Sequence, residues 1–233
     1  MTGMSQDERQ TLLELYKDLR VADVRDGMDW NMMHQYGSVH HSIRPLFPAR
    51  VVGIARTSRY MPYEQSIPHM SPDEYTEWVA WYYREVSKNP GFAEIEDGDF
   101  VCVDQSGVSV GILGSNNSLA YYSKGARAFM TNGGVRDTDE LILQQVPVWS
   151  QFVSQGMNQG RIRFDAKDVP ISIGGAVIRP GDMIVADGDG VIVVPRNIAH
   201  EVAKYAHQEF SNDKSGRRKL YEQLGWELDH TVA

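Results

Sequence analysis

Residues 132–140 have the sequence Asn-Gly-Gly-Val-Arg-Asp-Thr-Asp-Glu, and we interpret the rest of the chain as a scaffold for this stretch. The apolar run before it, residues 126–131, predicts a buried strand, and the stretch itself leads into a predicted helix. Its two glycines predict a tight turn. Arg136 offers a planar fork for a carboxylate, and Asp137 offers a hard oxygen ligand for a divalent cation. The stretch therefore predicts a site.

The same residues have a purely structural interpretation. Asp137 can be the N-cap of the helix, with Glu140 completing a capping box, and Arg136 can be an exposed residue of the turn. Local sequence leaves both interpretations open. The segments elsewhere in the chain favour the site.

Length and composition limit the classes of protein to which the chain can belong. With 233 residues the chain can bury a core without disulfides, and the single cysteine, Cys102, lies between valines that predict a buried strand. No apolar run reaches membrane-spanning length, and the first residues lack a basic-then-apolar signal. We therefore expect a soluble cytoplasmic protein with no membrane partner.

The charge pattern argues against nucleic acid as a partner. The formal net charge is -8, from 23 basic and 31 acidic residues, and the basic residues are scattered along the chain. Phosphate binding requires a concentrated basic face. We expect a small-molecule ligand instead.

An N-terminal helical segment is predicted over about residues 5–35. Ser5 followed by Glu8 indicates a helix start, and apolar residues at helical spacing continue to about Leu19. A second helix is predicted from Val21 to about Met33. Three acidic residues on it are expected to form a solvated face: Asp23, Asp26 and Asp29.

Strand patterns occupy the middle and the end of the chain. We predict strands at 50–56, 100–104 and 108–113, with 100–104 central in the sheet. Residues 169–194 predict a compact antiparallel unit of short strands, followed by a long helix from Asn197. The repeat of Asp and Gly at 187–190 is interpreted as a hairpin turn, because the glutamate of a calcium loop is missing.

A segment rich in aromatic residues, from about Tyr60 to Gly91, is called the aromatic segment below. Ser71 and Glu74 predict a capping box, and the helix that follows is expected to end near residues 89–91. Its aromatic residues are Tyr75, Trp78, Trp81, Tyr82 and Tyr83. The segment is interpreted as core or subunit contact, or as a lid over a pocket.

A polar run, Gly114-Ser115-Asn116-Asn117-Ser118, follows the strand at 108–113 and leads into a helix. Free backbone N–H groups and the helix dipole favour an anion at such a start. Ser and Asn are also ordinary helix caps. Both interpretations stay open on this motif alone.

Three motifs in this order carry a family resemblance: residues 114–117, residues 133–137, and residues 173–187 with the sequence Ile-Gly-Gly-Ala-Val-Ile-Arg-Pro-Gly-Asp-Met-Ile-Val-Ala-Asp. Together they resemble the RraA-like family, which groups the regulator of ribonuclease activity A with class II 4-hydroxy-4-methyl-2-oxoglutarate aldolases. The resemblance spans roughly Val21 to Phe210.

The resemblance implies an α/β fold of the swivelling β/β/α, phosphohistidine-domain-like kind, with a C-terminal helix. It implies one RraA-like domain over residues 1–233, in which the aromatic segment (about 60–91) is an insertion. It also implies a homo-oligomer, a trimer or a hexamer formed as a dimer of trimers, with sites between subunits.

The resemblance also assigns roles to residues. Arg136 would bind the substrate carboxylate, and Asp137 would carry a divalent metal, Mg²⁺ or Mn²⁺. The family's amides that hold the pyruvyl group match Asn116 and Asn117, and the whole implied substrate-binding set is Gly114, Ser115, Asn116, Asn117 and Arg136.

Two positions bear on the choice between enzyme and regulator. Ser115 stands where aldolases of the family usually carry an acid that holds metal-bound water, which puts the aldol substrate in doubt. Regulator-type members tend to lack the Asp after the Arg, so Asp137 favours an enzyme.

We therefore expect a metal-dependent lyase, an aldolase or a decarboxylase, that acts on a small 2-oxo acid or a related sugar acid through an enolate and yields a product such as pyruvate. A Schiff-base mechanism would need a desolvated lysine, and Lys124 is expected to be exposed. Two alternatives remain: a non-catalytic regulator-type binding protein, and a sugar-acid dehydratase or epimerase.

Overall fold

The computed structural model describes residues 3–88 and 93–232. Its α-helices are α1 (Gln6–Tyr16), α2 (Val21–Trp30), α3 (Pro72–Trp81), α4 (Ser115–Tyr122), α5 (Thr138–Leu143) and α6 (Ala199–Leu224). Its strands are β1 (Arg44–Pro45), β2 (Val51–Pro62), β3 (Asp99–Asp104), β4 (Gly111–Leu113), β5 (Ala128–Val135), β6 (Val148–Val153), β7 (Ile162–Lys167), β8 (Ile171–Ile173), β9 (Ala176–Ile178), β10 (Met183–Asp187) and β11 (Gly190–Val194).

One mixed sheet organises the described residues. Its order is β1-β6-β5-β3-β2-β10-β11, with β4 paired to β5 and β7 paired to β2. The central strands β2, β3, β5 and β6 run parallel, whereas β10 and β11 form an antiparallel hairpin. Every residue of β3 is buried, which confirms the predicted central strand. The turn at 187–190 joins β10 to β11, so its interpretation as a hairpin is also confirmed.

The sheet lies between two layers because both of its faces are apolar. Helices α1, α2 and α6 cover β2, β10 and β11 on one face, through a core that includes Met28, Ile54 and Val202. The β8–β9 hairpin covers the other face, where Ile173 and Ile178 pack with Phe100. The layers are thus β, β and α, as the resemblance implied, and α6 is the expected C-terminal helix.

The N-terminal helices begin as predicted, but one acidic residue differs from its prediction. The Ser5 hydroxyl accepts a hydrogen bond from the Glu8 N–H at 3.1 Å, and α1 ends at Tyr16 rather than near Leu19. Asp23 is 1% exposed, so its placement on a solvated face was wrong. Its carboxylate accepts hydrogen bonds from the backbone N–H and the Nε of Arg20, at 2.8 and 2.9 Å, which offsets the cost of burial.

The glycine pair does not form the predicted turn. Gly133 and Gly134 lie inside β5, which continues to Val135. A Cβ on Gly133 would lie 2.4 Å from Cδ of Gln105, and a Cβ on Gly134 would lie 2.8 Å from the carbonyl oxygen of Val110. The glycines are therefore needed for close packing.

The aromatic segment contains the predicted helix start. Ser71 and Glu74 form a reciprocal capping box at the start of α3, and a π-helical turn, Tyr82–Val86, follows α3 directly. Residues 60–62 belong to β2 rather than to a separate insertion. The predicted end near residues 89–91 lies outside the described residues.

Across residues 3–88 and 93–232, no helix combines the length and apolar character that a membrane crossing needs.

Two helical glycines provide a test of the packing between α2 and α6. A Cβ on Gly27 would lie 2.4 Å from the carbonyl oxygen of Val202, whereas a Cβ on Gly216 meets nothing within 4 Å. We expect Gly27→Ala to lower the free energy of unfolding by about 1–3 kcal/mol through overpacking. Gly216→Ala should raise it by about 0.5–1 kcal/mol, because alanine favours the helix. Urea denaturation measures both, and equal effects of the two substitutions would contradict the packing.

Candidate active site

A cleft of about 380 Å³ opens where the polypeptide leaves the carboxyl ends of β4 and β5. Helix α4 begins after β4 and α5 begins after β5, so both connections meet at one edge of the sheet. The lining residues are Tyr83, Gly111, Ile112, Gly114, Asn116, Asn117, Arg136, Asp137, Met157 and Asn158. Ser115 is absent from this lining, and it contacts the carboxylate of Asp137 through its backbone N–H.

The Asp137 side chain does not cap its own helix. Asp137 occupies the N-cap position of α5 in the left-handed conformation, with φ 54° and ψ 43°, and its side chain makes no cap hydrogen bond. Its Oδ2 instead accepts a hydrogen bond from the Ser115 N–H at 3.1 Å, and its Oδ1 accepts one from Arg136 Nε at 3.1 Å. The alternative interpretation as a capping box is therefore wrong, since the carboxylate is directed to the neighbouring helix start.

These contacts lower the pKa of Asp137. Partial burial raises the pKa of its carboxyl, but the hydrogen bond and charge of Arg136 and the hydrogen bonds from Ser115 together lower the pKa below its ordinary value. Asp137 is thus a carboxylate at neutral pH.

Two glycines make room for the charged pair. A Cβ on Gly111 would lie 2.7 Å from Cγ of Arg136, and a Cβ on Gly114 would lie 2.7 Å from Oδ2 of Asp137. Gly114 was predicted as a substrate-binding residue, and the structure shows the close approach to Asp137 that its lack of a side chain permits. The spacing of the motif gave no signal for Gly111.

The start of α4 already holds one negative charge. Gly114 is its N-cap, and the Ser115 N–H is directed at Asp137, so the chain's own carboxylate occupies part of the predicted anion site. The side chains of Asn116 and Asn117 are exposed in the cleft. The Asn117 amide also lies 3.5 Å from the carbonyl oxygen of Ile112.

The aromatic segment reaches the cleft and forms part of its wall. Tyr83 lines the cleft, and burial raises the pKa of its phenol although the charge of Arg136 opposes this. The loop residues Met157 and Asn158 complete the wall. Sequence reasoning missed both loop residues, and only the aromatic run pointed towards Tyr83.

The donors in the cleft fit a hydrated divalent cation. An ionised carboxylate has about four lone-pair sites, and the contacts with Arg136 and Ser115 leave part of the Asp137 carboxylate available. No group of three or more His, Cys, Asp and Glu side chains with metal-binding geometry occurs in the part of the chain that the structure describes. A cation with one protein ligand and several waters is the arrangement that Mg²⁺ tolerates well. Lys124 is exposed, so it is no candidate for a desolvated Schiff-base lysine.

The model of the family described as "RraA-like: Aldolase/RraA" matches residues 21–193. The chain belongs to this family. A 4-hydroxy-4-methyl-2-oxoglutarate aldolase from Thermus thermophilus is 29% identical over 100 residues, which cover 42% of this chain and 60% of the relative. Protein DlpA from Legionella pneumophila is 26% identical over 162 residues, 69% of this chain and 24% of that protein. The match therefore spans less than two thirds of either relative.

Solved structures share the fold. An uncharacterized protein from Pseudomonas syringae has a TM-score of 0.71 and 23% identity, with 96% of this chain and 98% of that chain covered. Streptomyces coelicolor RraAS2, described as an unusual member of the RNase ES inhibitor RraA family, has a TM-score of 0.70 and 24% identity, with coverages of 89% and 96%.

Gly114→Ala tests the contact between Asp137 and the start of α4. The added Cβ should displace the carboxylate from the Ser115 N–H, and the pKa of Asp137 should then rise towards its ordinary value of about 3.9. A lowered native pKa stabilises the fold above the unfolded pKa, and this contribution is lost as pH falls through the native value. As pH falls from about 4 to the native pKa of Asp137 in the wild type, Gly114→Ala should therefore lose less stability than the wild type does.

An NMR titration of the Asp137 carboxyl measures this shift. Gly156→Ala is the matched control, because its Cβ would make only an ordinary contact, 3.5 Å from Nε of Arg161. An unchanged pKa in Gly114→Ala would show that the contact does not hold the carboxylate.

Proposed function

We propose that this protein is a divalent-metal-dependent lyase, an aldolase or decarboxylase, acting on a small 2-oxo acid or a related sugar acid. The observation that carries the proposal is the shared placement of Arg136 and Asp137 in one cleft, with the carboxylate hydrogen-bonded by Arg136 and the Ser115 N–H. Membership of the RraA-like family supports it, as does the similarity to an aldolase from Thermus thermophilus.

Arg136 would bind and orient the substrate carboxylate. Its Nε donates to Asp137, and the terminal guanidinium nitrogens carry further N–H groups in a planar fork that matches a carboxylate. The exposed amides of Asn116 and Asn117 would hold the 2-oxo acid from another side of the cleft. These contacts fix the position of the carbonyl at which charge develops.

Asp137 would hold the cation, Mg²⁺ or Mn²⁺, with water and substrate oxygens as the other ligands. The bound cation would supply Lewis-acid stabilisation for the negative charge that develops on the substrate. The Ser115 N–H and Arg136 keep the Asp137 carboxylate ionised and oriented for this role.

We also propose that the protein is a cytoplasmic homo-oligomer, a trimer or a hexamer. Large apolar side chains exposed on α4, α5 and β6 support self-association, because contact with a second copy would remove their apolar surface from water. They are Leu119, Tyr122, Ile142, Leu143 and Val153. The net charge of -8 supports a small-molecule substrate over nucleic acid.

A second candidate is a non-catalytic regulator, which Ser115 and the shared fold with the RNase ES inhibitor family member favour. A protein inert towards 2-oxo acids with either metal, yet able to lower the activity of a purified RNase E-type ribonuclease, would support it. A sugar-acid dehydratase or epimerase would use the same charged pair and would be recognised by its product.

Asp137→Asn tests the lyase. Asparagine tolerates the left-handed conformation, so the fold should persist, while metal-stimulated pyruvate formation should fall about 100-fold or more because the anionic ligand is lost. A coupled pyruvate assay and Mn²⁺ titration by electron paramagnetic resonance measure the two effects. Asp139→Asn, at an exposed position in the first turn of α5, is the control. Full metal-stimulated activity in Asp137→Asn would refute the proposal.

A further inference from the structure

The lining of the cleft is chemically divided. Arg136, Asp137 and three asparagines supply charge and hydrogen bonds, whereas Tyr83, Ile112 and Met157 supply apolar surface. Tyr83 and Met157 remain 39% and 42% exposed, so a ligand would bury apolar area that is in water without it. A ligand with one charged end and one apolar end fits both parts.

The charges in the cleft match a single carboxylate. Arg136 is the one cation among the described residues that line the cleft. The nearby Arg161 does not line the cleft, and its Nη1 donates to the carbonyl oxygens of Met157 and Gln159 at 2.9 and 3.2 Å. The wall formed by Tyr83, Ile112 and Met157 offers a second carboxylate no cationic side chain, so an apolar group matches that part of the cleft better.

The apolar wall is preformed. Tyr82, the neighbour of Tyr83, is fully buried, and its hydroxyl donates to the carbonyl oxygen of Asn158 at 2.8 Å. Its ring packs against Trp78, with ring centroids 5.1 Å apart. The Asn158 amide in turn donates to Ser87 Oγ at 2.7 Å. The aromatic segment and the loop that carries Met157 are thus joined, which holds Tyr83 and Met157 in place for a ligand.

We propose that Tyr83 and Met157 form a specificity subsite, and that the substrate is a monocarboxylic 2-oxo acid with an apolar, aryl-sized group at its far end. This inference rests on the proposed function. The ring of Tyr83 would stack on the aryl group, while Arg136 binds the only carboxylate.

For a 4-hydroxy-4-aryl-2-oxobutanoate the reaction balances without a co-reactant. The C3–C4 bond breaks as the 4-hydroxyl loses its proton, C4 becomes the carbonyl carbon of an aryl aldehyde, and the electron pair stays on C3. C3 then takes up one proton, which gives pyruvate.

Competing substrates test the subsite. With Mn²⁺ present, we expect kcat/KM for 4-hydroxy-2-oxo-4-phenylbutanoate to exceed that for 4-hydroxy-2-oxoglutarate, a dicarboxylate, by about tenfold or more. Tyr83→Ala should lower this ratio about tenfold, mainly through the KM of the phenyl substrate. Tyr83→Phe should keep the ratio, because stacking requires the ring and not the hydroxyl.

Tyr75→Ala is the matched control, because Tyr75 lies on the same segment with a similar exposure, 38%, and does not line the cleft. It should leave the ratio unchanged. Preference of the wild type for the dicarboxylate, or equal effects of Tyr83→Ala on both substrates, would overturn the subsite.

Binding separates this inference from the lyase proposal. Calorimetry with phenylpyruvate and 2-oxoglutarate, each in the presence of Mn²⁺, needs no turnover. Tighter binding of phenylpyruvate that Tyr83→Ala weakens about tenfold would support the subsite even if neither hydroxy acid were cleaved, in which case the lyase proposal alone would fall. Absence of phenylpyruvate binding, or binding insensitive to Tyr83→Ala, would refute the subsite.

Discussion

The hydrogen bond from the Ser115 N–H to the Asp137 carboxylate is the contact on which the organisation of the cleft depends. It joins two β–α connections that are separated by 22 residues in the chain, and it requires three local conditions. Asp137 adopts a left-handed backbone conformation, Gly114 has no Cβ to obstruct the carboxylate, and Gly111 leaves space for the Arg136 side chain. The resulting charged pair is fixed relative to the sheet before any ligand binds, so little ordering remains for a substrate to cause.

Much of the fold could be predicted because its signals are local. The Ser5 and Ser71 caps, the apolar run that forms β3 and the turn between β10 and β11 each depend on residues a few positions apart. Part of the candidate site could also be predicted from the sequence. Arg136 and Asp137 are neighbours in sequence after one predicted strand, and the family resemblance assigns roles to both, whereas the pairing of β4 with β5 that brings Ser115 to Asp137 was not predicted.

The remaining features depend on contacts between distant parts of the chain. Gly133 and Gly134 resemble a turn in sequence, yet the side chain of Gln105 and the backbone at Val110 require their small size within a strand. Asp23 has the spacing of an exposed helical residue, but it is buried beside Arg20 at the start of α2. The wall of the cleft combines Tyr83 with a loop more than 70 residues later, and no local pattern encodes that encounter.

The π-helical turn Tyr82–Val86 sets the directions of the side chains at this part of the cleft wall. Its defining bond runs from the Ser87 N–H to the Tyr82 carbonyl oxygen, 2.8 Å long and five residues apart, so the turn holds one residue more than an α-helical turn. Loss of that residue would restore regular helix and rotate one flank against the other by about 100°. The side chains of Tyr82 and Tyr83 would then change direction relative to the loop that carries Met157. Deletion of a single residue in this turn would thus reshape the wall while the charged pair stays intact.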